Sequence, residues 1–186
     1  MNNAQLTYVG IHICKEKLDV YISEPQKIAQ LENTSDRVEK FVATLLEMNN
    51  PVVLFKASKG YELDVLNAVI QNQIPFQRLQ PQQIGDFAKS QNLTDVPEAK
   101  VLVLFGMSKD DLALQKLTPE KSTRLIEMMT YRRTLSDMIA QTEAMEQIDA
   151  AFRKMQLKTL DLLLSDVNTM EKKITQFFEE NAKCGR

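Results

Sequence analysis

The sequence predicts a mixed α/β domain followed by a long helical arm. Four of the five glycines and five of the six prolines lie within the first 113 residues, and the exceptions are Gly185 and Pro119. Both residue types mark turns and loops. The same first part alternates β-rich runs with amphipathic segments, whereas the remainder has apolar residues at intervals of three and four. We therefore predict an α/β domain in residues 1–113 and a helical arm in residues 114–186.

Three predicted strands open the α/β domain. Leu6–Cys14 and Leu18–Ile22 are rich in β-branched and aromatic residues, and the three polar residues between them favour a hairpin. Lys27–Leu31 adds a third strand. The expected arrangement is an antiparallel meander.

Helices and strands alternate after the meander. Ser35–Met48 has apolar residues at helical spacing and ends before Pro51, and the apolar run Val52–Phe55 is typical of a strand covered on both faces. The order β-β-β-α-β-α-β-α is that of a ribonuclease-H-like domain with a mixed sheet and flanking helices. The remaining predicted elements are a helix at Tyr61–Gln71, a strand at Pro75–Leu79, a helix at Gln82–Ser90 after Pro81, and a helix from Pro97 to Gly106.

The arm begins at Thr118, a residue suited to capping a helix that has Pro119 in its first turn. Its apolar spacing predicts a coiled-coil stripe, interrupted between Glu146 and Lys158, and therefore two helices at about 119–145 and 150–180. A parallel dimer and a folded-back hairpin both fit this stripe, which is rich in adaptable methionine. The stripe residues are Met128, Tyr131, Leu135, Met138, Thr142 and Met145, then Leu163, Val167, Met170, Ile174 and Phe177.

Composition bounds the function. The longest apolar run, Val101–Met107, is far shorter than the roughly 20 residues of a membrane span, and the first residues lack a signal pattern, so we expect a cytoplasmic protein without a membrane partner. Cys14 and Cys184 are too few for a disulfide framework. The chain has 23 basic and 25 acidic residues and therefore lacks the basic excess of many nucleic-acid-binding proteins.

Four short blocks occur in order along the chain. They read GIHICKEKLDV at Gly10–Val20, LFKASKGYE at Leu54–Glu62, QPQQIGDFAK at Gln80–Lys89 and TDVPEAKVL at Thr94–Leu102, and a helical stretch with an arginine pair follows at Leu125–Leu135. Together these blocks resemble the DEDD transposases of bacterial insertion sequences, a family that includes the Piv-type DNA invertases. The resemblance implies a RuvC-like domain, a linking coiled coil, DNA transposition or recombination, and DNA or a structured guide RNA as partner.

The resemblance also implies a catalytic site. Family members hold two Mg²⁺ ions with four carboxylates, because Mg²⁺ prefers anionic oxygen and two ions stabilise both oxygens of phosphodiester cleavage. The matching positions here are His12, Lys56, Asp95 and Glu98. With His12 neutral these four side chains sum to about −1 rather than about −4 at neutral pH. We therefore expect no metal cofactor, and a Lys56 ammonium that replaces the metal beside Asp95 and Glu98.

The only histidine of the chain, His12, faces the same side of its strand as Cys14. One interpretation combines these two residues with Asp95 and Glu98 as a zinc site. The other is a partly buried histidine hydrogen-bonded to Asp95 or Glu98, and this second interpretation is the one we favour.

Basic residues offer candidate nucleic-acid contacts. Lys15, Lys17 and Lys59 are expected near Lys56 at the carboxyl edge of the sheet, where RuvC-like domains meet nucleic acid. A second candidate is the pair Arg132 and Arg133 beside Tyr131, although a pair of arginines on a balanced helix is also typical of a solvated surface.

Three functions remain open from the sequence. The leading hypothesis is a transposase-derived, catalytically degenerate protein that binds nucleic acid or associates as a homodimer or with a related transposase. The serine-bearing domain that follows the coiled coil in the family does not occur in these 186 residues, in keeping with lost activity. The alternatives are an active metal-dependent DNA-cleaving subunit completed by another chain, and a purely structural dimeric remnant.

Overall fold

Residues 6–146 and 149–182 are described by a computed structural model of the chain. Cys184 lies outside these residues. In the described part the fold is α/β, with five strands and six helices. The strands are β1 (Thr7–Ile13), β2 (Lys17–Ile22), β3 (Lys27–Glu32), β4 (Pro51–Lys56) and β5 (Phe76–Leu79). The helices are α1 (Ser35–Leu45), α2 (Leu63–Gln71), α3 (Pro81–Ser90), α4 (Glu98–Met107), α5 (Pro119–Glu143) and α6 (Ala150–Ala182).

The five strands form one mixed sheet in the order β3-β2-β1-β4-β5. Strands β1, β2 and β3 pair antiparallel, whereas β1 pairs parallel with β4, and β4 pairs parallel with β5. The predicted meander and the predicted parallel strands are confirmed. Because β1, β4 and β5 run in the same direction, the segments that follow them meet at one edge of the sheet, which we call the carboxyl edge.

Helices cover both faces of the sheet. The alternation of side chains along β1 sends Val9, Ile11 and Ile13 into the larger core, which also contains buried residues of α1 and α2. On the other face, β4 and β5 pack against α3 and α4 through a smaller core. Gly10 of β1 lies on this second face, directly under α4.

The predicted arm folds back on itself, because α5 and α6 pack against each other and Gln156 of α6 donates a 2.6 Å hydrogen bond to the carbonyl of Thr142 on α5. Of the two arrangements that the sequence left open, the hairpin is the one observed. Both helices also enter the larger core with β1, through Leu125, Met129, Ile174, Phe177 and Phe178.

The predicted apolar stripe on α5 requires a correction. Tyr131, Met138 and Met145 are exposed, while Leu125 and Met129 are buried. Leu135 of the predicted stripe is buried as expected, but Met129 and Arg132 are buried next to the predicted Met128 and Tyr131, so part of the inward face of α5 is displaced by one residue. The periodicity was compatible with either face, and packing against the sheet and α6 decides between them.

A buried ionic network ties the arm to the sheet. Arg78 of β5 donates from Nε to Glu62 Oε1 at 3.0 Å and from Nη2 to Glu171 Oε1 of α6 at 2.6 Å. Arg132 of α5 donates from Nε to Glu171 Oε2 at 3.0 Å. The side chains of Arg78 and Glu62 are only 1% and 0% exposed, so removing one partner is expected to cost about 3–5 kcal/mol of stability.

Among the residues that the structure describes, no helix has the length and apolar character that a membrane crossing requires.

We expect Gly10→Ala to destabilise the protein by about 1–3 kcal/mol, the usual cost of overpacking a core. A Cβ atom at Gly10 would lie 2.0 Å from the carbonyl oxygen of Ala99, so α4 would have to move away from β1. Urea denaturation measures the effect. The matched control is Gly85→Ala within α3, where a Cβ meets no atom within 4 Å and alanine gains about 0.5–1 kcal/mol from helix propensity. Equal stability of the two variants would contradict this packing.

Candidate functional site

Three elements bring His12, Lys56 and Glu98 together at the carboxyl edge. The parallel register pairs Gly10 with Leu54 and Ile11 with Phe55, and its continuation places His12 of β1 beside Lys56 at the end of β4. His12 shares the face of Gly10, on which α4 packs. Glu98 is the first residue of α4 and therefore lies over both side chains.

Four side chains form a continuous hydrogen-bonded row, which we call the Lys56–Cys14 row. Lys56 Nζ donates to Glu98 Oε2 at 2.6 Å, and the other oxygen of Glu98 lies 2.9 Å from His12 Nδ1. The second ring nitrogen, His12 Nε2, lies 3.3 Å from Cys14 Sγ. The side chains of His12, Lys56 and Glu98 are only slightly more than a quarter exposed. The favoured interpretation, a partly buried histidine bonded to a carboxylate, agrees with this geometry.

The charges along the row shift two pKa values in opposite directions. The hydrogen bond that His12 donates to Glu98 is the main reason that the pKa of His12 lies above its ordinary 6.5, and burial opposes it. For Glu98, burial alone would raise the pKa, but hydrogen bonds and charges from His12 and Lys56 outweigh it, so the pKa lies below 4.5. Glu98 is therefore ionised at neutral pH, and His12 keeps a proton to higher pH than a free imidazole.

Asp95 does not join this row. It is exposed in the segment before α4, and within the described part of the chain its side chain has no hydrogen-bond or ion-pair partner. Lys56 thus pairs with one of the two carboxylates that the sequence placed beside it. Pro97 separates Asp95 from the helix start at Glu98.

The donor set does not suit a metal ion. Both oxygens of Glu98 are engaged by Lys56 and His12, and both ring nitrogens of His12 face protein groups. Across residues 6–146 and 149–182, no group of three or more His, Cys, Asp or Glu side chains is arranged to hold a metal. Neither the two-magnesium arrangement of the resembled family nor the alternative zinc site fits the residues as they lie.

The predicted basic residues separate into two groups. Lys15 and Lys17 are exposed in and beside the β1–β2 turn, and Lys59 is exposed in the turn after β4. Asn33 joins these two turns, because its Nδ2 donates to the carbonyls of Cys14 at 2.9 Å and Tyr61 at 3.0 Å. The three lysines therefore lie on neighbouring turns at the carboxyl edge.

The two predicted arginines have structural partners instead. Arg132 is 6% exposed, and its guanidinium donates to Glu171 and to the carbonyl of Lys59. Arg133 makes a 3.0 Å ion pair with Asp64 of α2. The charge of Arg132 is satisfied inside the fold, and a contact of this residue with nucleic acid stays a prediction. Arg133 retains a side chain that is 37% exposed.

Glu62 was not among the predicted site residues, although it organises the turn after β4. Its Oε2 accepts hydrogen bonds from the backbone N–H groups of Ser58 and Gly60 and from the Ser58 hydroxyl. Gly60 has φ of 91°, a conformation that glycine adopts readily. The serine and glycine just before this glutamate are a local signal of such a turn, whereas its bond to Arg78, 16 residues away, has no local signal.

No known protein family matches this chain, and a search of curated proteins finds no relative of it.

Glu98→Gln should lower the pKa of His12, because the mutation removes the charge and weakens the hydrogen bond that raise it. His12 is the only histidine of the chain, so NMR titration of its ring protons gives a single assigned curve. We expect a midpoint above 6.5 in the unmodified protein and a lower one in the variant. An unchanged midpoint would show that Glu98 does not hold the imidazole.

The same mutation should cost the most stability between about pH 4.5 and pH 6.5. The raised pKa of His12 stabilises the fold below its ordinary 6.5, and this contribution is lost as the pH rises through the folded-state value. The lowered pKa of Glu98 stabilises the fold above 4.5, and this contribution is lost as the pH falls through the folded-state value. For partly exposed groups we expect a loss of about 1 kcal/mol at pH 5.5, and a smaller loss at pH 9, by urea denaturation.

Proposed function

We propose that this chain is a catalytically inactive relative of the DEDD transposases that binds DNA or structured RNA through the carboxyl edge of a ribonuclease-H-like sheet. The strand order, with an antiparallel meander followed by two parallel strands, supports the proposed fold. The observation that supports a loss of catalysis is the 2.6 Å ion pair between Lys56 and Glu98. Both residues lie at positions that match carboxylates of the family.

The ion pair opposes metal-dependent cleavage in two ways. Lys56 donates a hydrogen bond to one oxygen of Glu98, the single carboxylate of the row, so this oxygen is already engaged. An ammonium 4 Å from a metal ion also costs about 4 kcal/mol for each unit of metal charge at an effective dielectric of about 20. Two divalent ions at this site would be repelled by Lys56. They would also lack the four carboxylates whose negative charge holds the ions in the family.

Binding remains physically reasonable at the same edge. Lys15, Lys17 and Lys59 are exposed on neighbouring turns, and phosphate contacts from such lysines supply sequence-independent affinity. Nearby acidic groups moderate this surface, since Lys17 lies 3.8 Å from Asp19. We therefore propose weak, salt-sensitive contacts to a phosphate backbone rather than tight, base-specific recognition.

The binding proposal predicts that the triple variant Lys15→Gln, Lys17→Gln, Lys59→Gln weakens nucleic-acid binding. Each lost phosphate contact should flatten the slope of log affinity against log salt by about 0.9 for duplex DNA. Gel shifts of duplex DNA and of structured RNA over a series of salt concentrations measure both quantities.

The matched control carries the same three changes at Lys27, Lys109 and Lys116. Lys27 opens β3, Lys109 follows α4, and Lys116 follows the bridge between Gln115 and the start of β5, so all three lie at the opposite edge. The control should bind like the unmodified protein. Absence of any shift at low salt, or equal losses in both triple variants, would contradict the proposal.

Self-association through the distal part of α6 is a second element of the proposal. Phe152, Met155 and Leu162 are about 60% exposed on this helix, and with Thr159 they follow the 3-4-3 spacing of a coiled-coil stripe. None of these three side chains is buried against α5, whereas Leu163 and Ile174 of the same helix are buried. A second copy of the same stripe is the partner that this heptad spacing fits.

Light scattering over a concentration series tests the self-association. We expect a dimer for the unmodified protein and a monomer for Phe152→Glu with Leu162→Glu, because charges in the stripe repel across a two-fold interface. Leu157 and Leu164 are also exposed but point about 180° away at 100° per residue, so Leu157→Glu with Leu164→Glu should remain dimeric. A monomeric unmodified protein at high concentration would contradict this part of the proposal.

A further inference from the structure

A cavity of about 440 Å³ lies along the outer edge of β5. Its lining includes Gln77 and Arg78 of β5, Gln115, and Phe178 of α6. Within the described residues, four buried side-chain nitrogen or oxygen atoms have no hydrogen-bond partner, and three of them belong to this lining: Gln77 Oε1, Arg78 Nη1 and Gln115 Oε1. Such atoms are few in folded proteins, so their concentration around one cavity indicates a polar ligand.

The fold holds two of these polar groups in place. The side chain of Arg78 is 1% exposed, and its Nε and Nη2 donate to Glu62 and Glu171. Gln115 is 4% exposed, and its backbone N–H donates to the carbonyl of Phe76 at 2.8 Å. A buried polar group without a partner destabilises a fold, so a ligand that supplies the partner is bound more tightly.

An interrupted strand pair shapes the cavity. In the described part of the chain β5 is the last strand of the sheet, and an isolated antiparallel bridge at Gln115 lies against its outer edge. Continuing this bridge would place Ala113 opposite Arg78. The N–H of Leu114 instead donates to the carbonyl of Leu112 at 2.7 Å, which is a tight γ-turn. Ala113 and Arg78 therefore line a cavity rather than forming a second bridge.

The backbone of Arg78 adds a donor and an acceptor at this edge. The N–H and the carbonyl of Phe76 both bond to Gln115, at 3.3 and 2.8 Å, and so point outward from the sheet. Backbone groups of every second residue in a strand point to the same side. Those of Arg78 therefore also point outward, toward Ala113.

The charges around the cavity disfavour an anion. The positive charge of Arg78 is balanced by Glu62 and Glu171. Asp86 of α3 and Glu179 of α6 also line the cavity. Because like charges repel at short range, these two carboxylates oppose a phosphate or carboxylate ligand, whereas a neutral ligand is not repelled.

We propose that this cavity binds a neutral heterocycle with a lactam group, the class that includes the keto nucleobases uracil and hypoxanthine. The Arg78 guanidinium can only donate hydrogen bonds, so the ligand requires an acceptor. The amides of Gln77 and Gln115 offer both a donor and an acceptor, so they suit a ligand that has both. This inference is independent of the proposed nucleic-acid binding, which uses the lysines of other turns.

A ring lactam fits the edge of β5 better than an open-chain amide does. In an open-chain amide the carbonyl oxygen and the N–H point in opposite directions, because the bond is trans. In a ring lactam both lie on one edge and can pair with the outward N–H and carbonyl of Arg78. An extended peptide would need to run along β5 in both directions, and the bridge at Gln115 blocks one of them.

NMR titration of the full, nitrogen-15-labelled chain with uracil and with hypoxanthine tests the proposal. We expect saturable shifts of the backbone amides of Arg78 and Gln115, with a dissociation constant of about 1 mM for uracil, which has eight non-hydrogen atoms. Two analogues define the chemistry. 1,3-Dimethyluracil keeps both carbonyls but has no N–H and should bind about tenfold more weakly. Orotate, a carboxylate derivative of uracil, should also bind more weakly.

Glutamine variants locate the site. Gln115→Met should weaken uracil binding about tenfold without lowering the urea midpoint, because an apolar group replaces an unpartnered polar one. Gln77→Met serves in the same way if Gln115→Met fails to fold. The matched control, Gln141→Met, changes an exposed position on α5 and should bind like the unmodified protein.

Three results would overturn the proposal. The first is the absence of saturable shifts with both uracil and hypoxanthine. The second is unchanged uracil affinity in the folded glutamine variants. The third is binding of orotate as tight as that of uracil, which would contradict a site for neutral ligands.

Discussion

The carboxylate of Glu98 lies between the side chains of Lys56 and His12, and the carboxyl edge of the sheet is organised around it. Lys56 holds one oxygen and His12 the other, so the charges are satisfied within the protein. This arrangement depends on three features of the fold: the parallel register of β1 and β4, the close approach of α4 over Gly10, and a helix that begins at Glu98. We propose that this internal ion pair occupies the place that the resembled family gives to metal ions.

A second ionic group holds the helical hairpin against the same sheet. Glu171 of α6 accepts from both Arg78 and Arg132, while Glu62 accepts from Arg78 and also closes the turn after β4. The turn that carries Lys59 is thus joined through Glu62, Arg78 and Glu171 to α6, the helix that carries the exposed distal stripe. Arg132 is the clearest example. From the sequence its guanidinium is a candidate for contacting phosphate, but in the fold it joins α5 to Glu171 of α6 and to the carbonyl of Lys59.

Local pattern explains most of the fold and part of the site. Alternation in β1, the proline and capping signals, and the apolar runs predict the five strands and six helices, and two-residue alternation places His12 and Cys14 on one side. The partners of Arg78 could not be predicted this way, because Glu171 lies 93 residues away. The burial of Met129 rather than Met138 likewise depends on packing against the sheet and α6, which a helical period does not specify. Asp95 also matches a family position, but it lies in the segment before α4 and is therefore not oriented by that helix as Glu98 is.

The central claim is that the pair of Lys56 and Glu98 has replaced a two-metal centre. Calorimetric titration of the intact chain with Mg²⁺ and with Mn²⁺ tests it most directly, with the double variant His12→Asp and Lys56→Glu as the comparison. The account predicts no two-site binding at micromolar concentrations for the unmodified protein, and stronger metal binding once both carboxylates are restored. A micromolar two-site isotherm from the unmodified protein would contradict it.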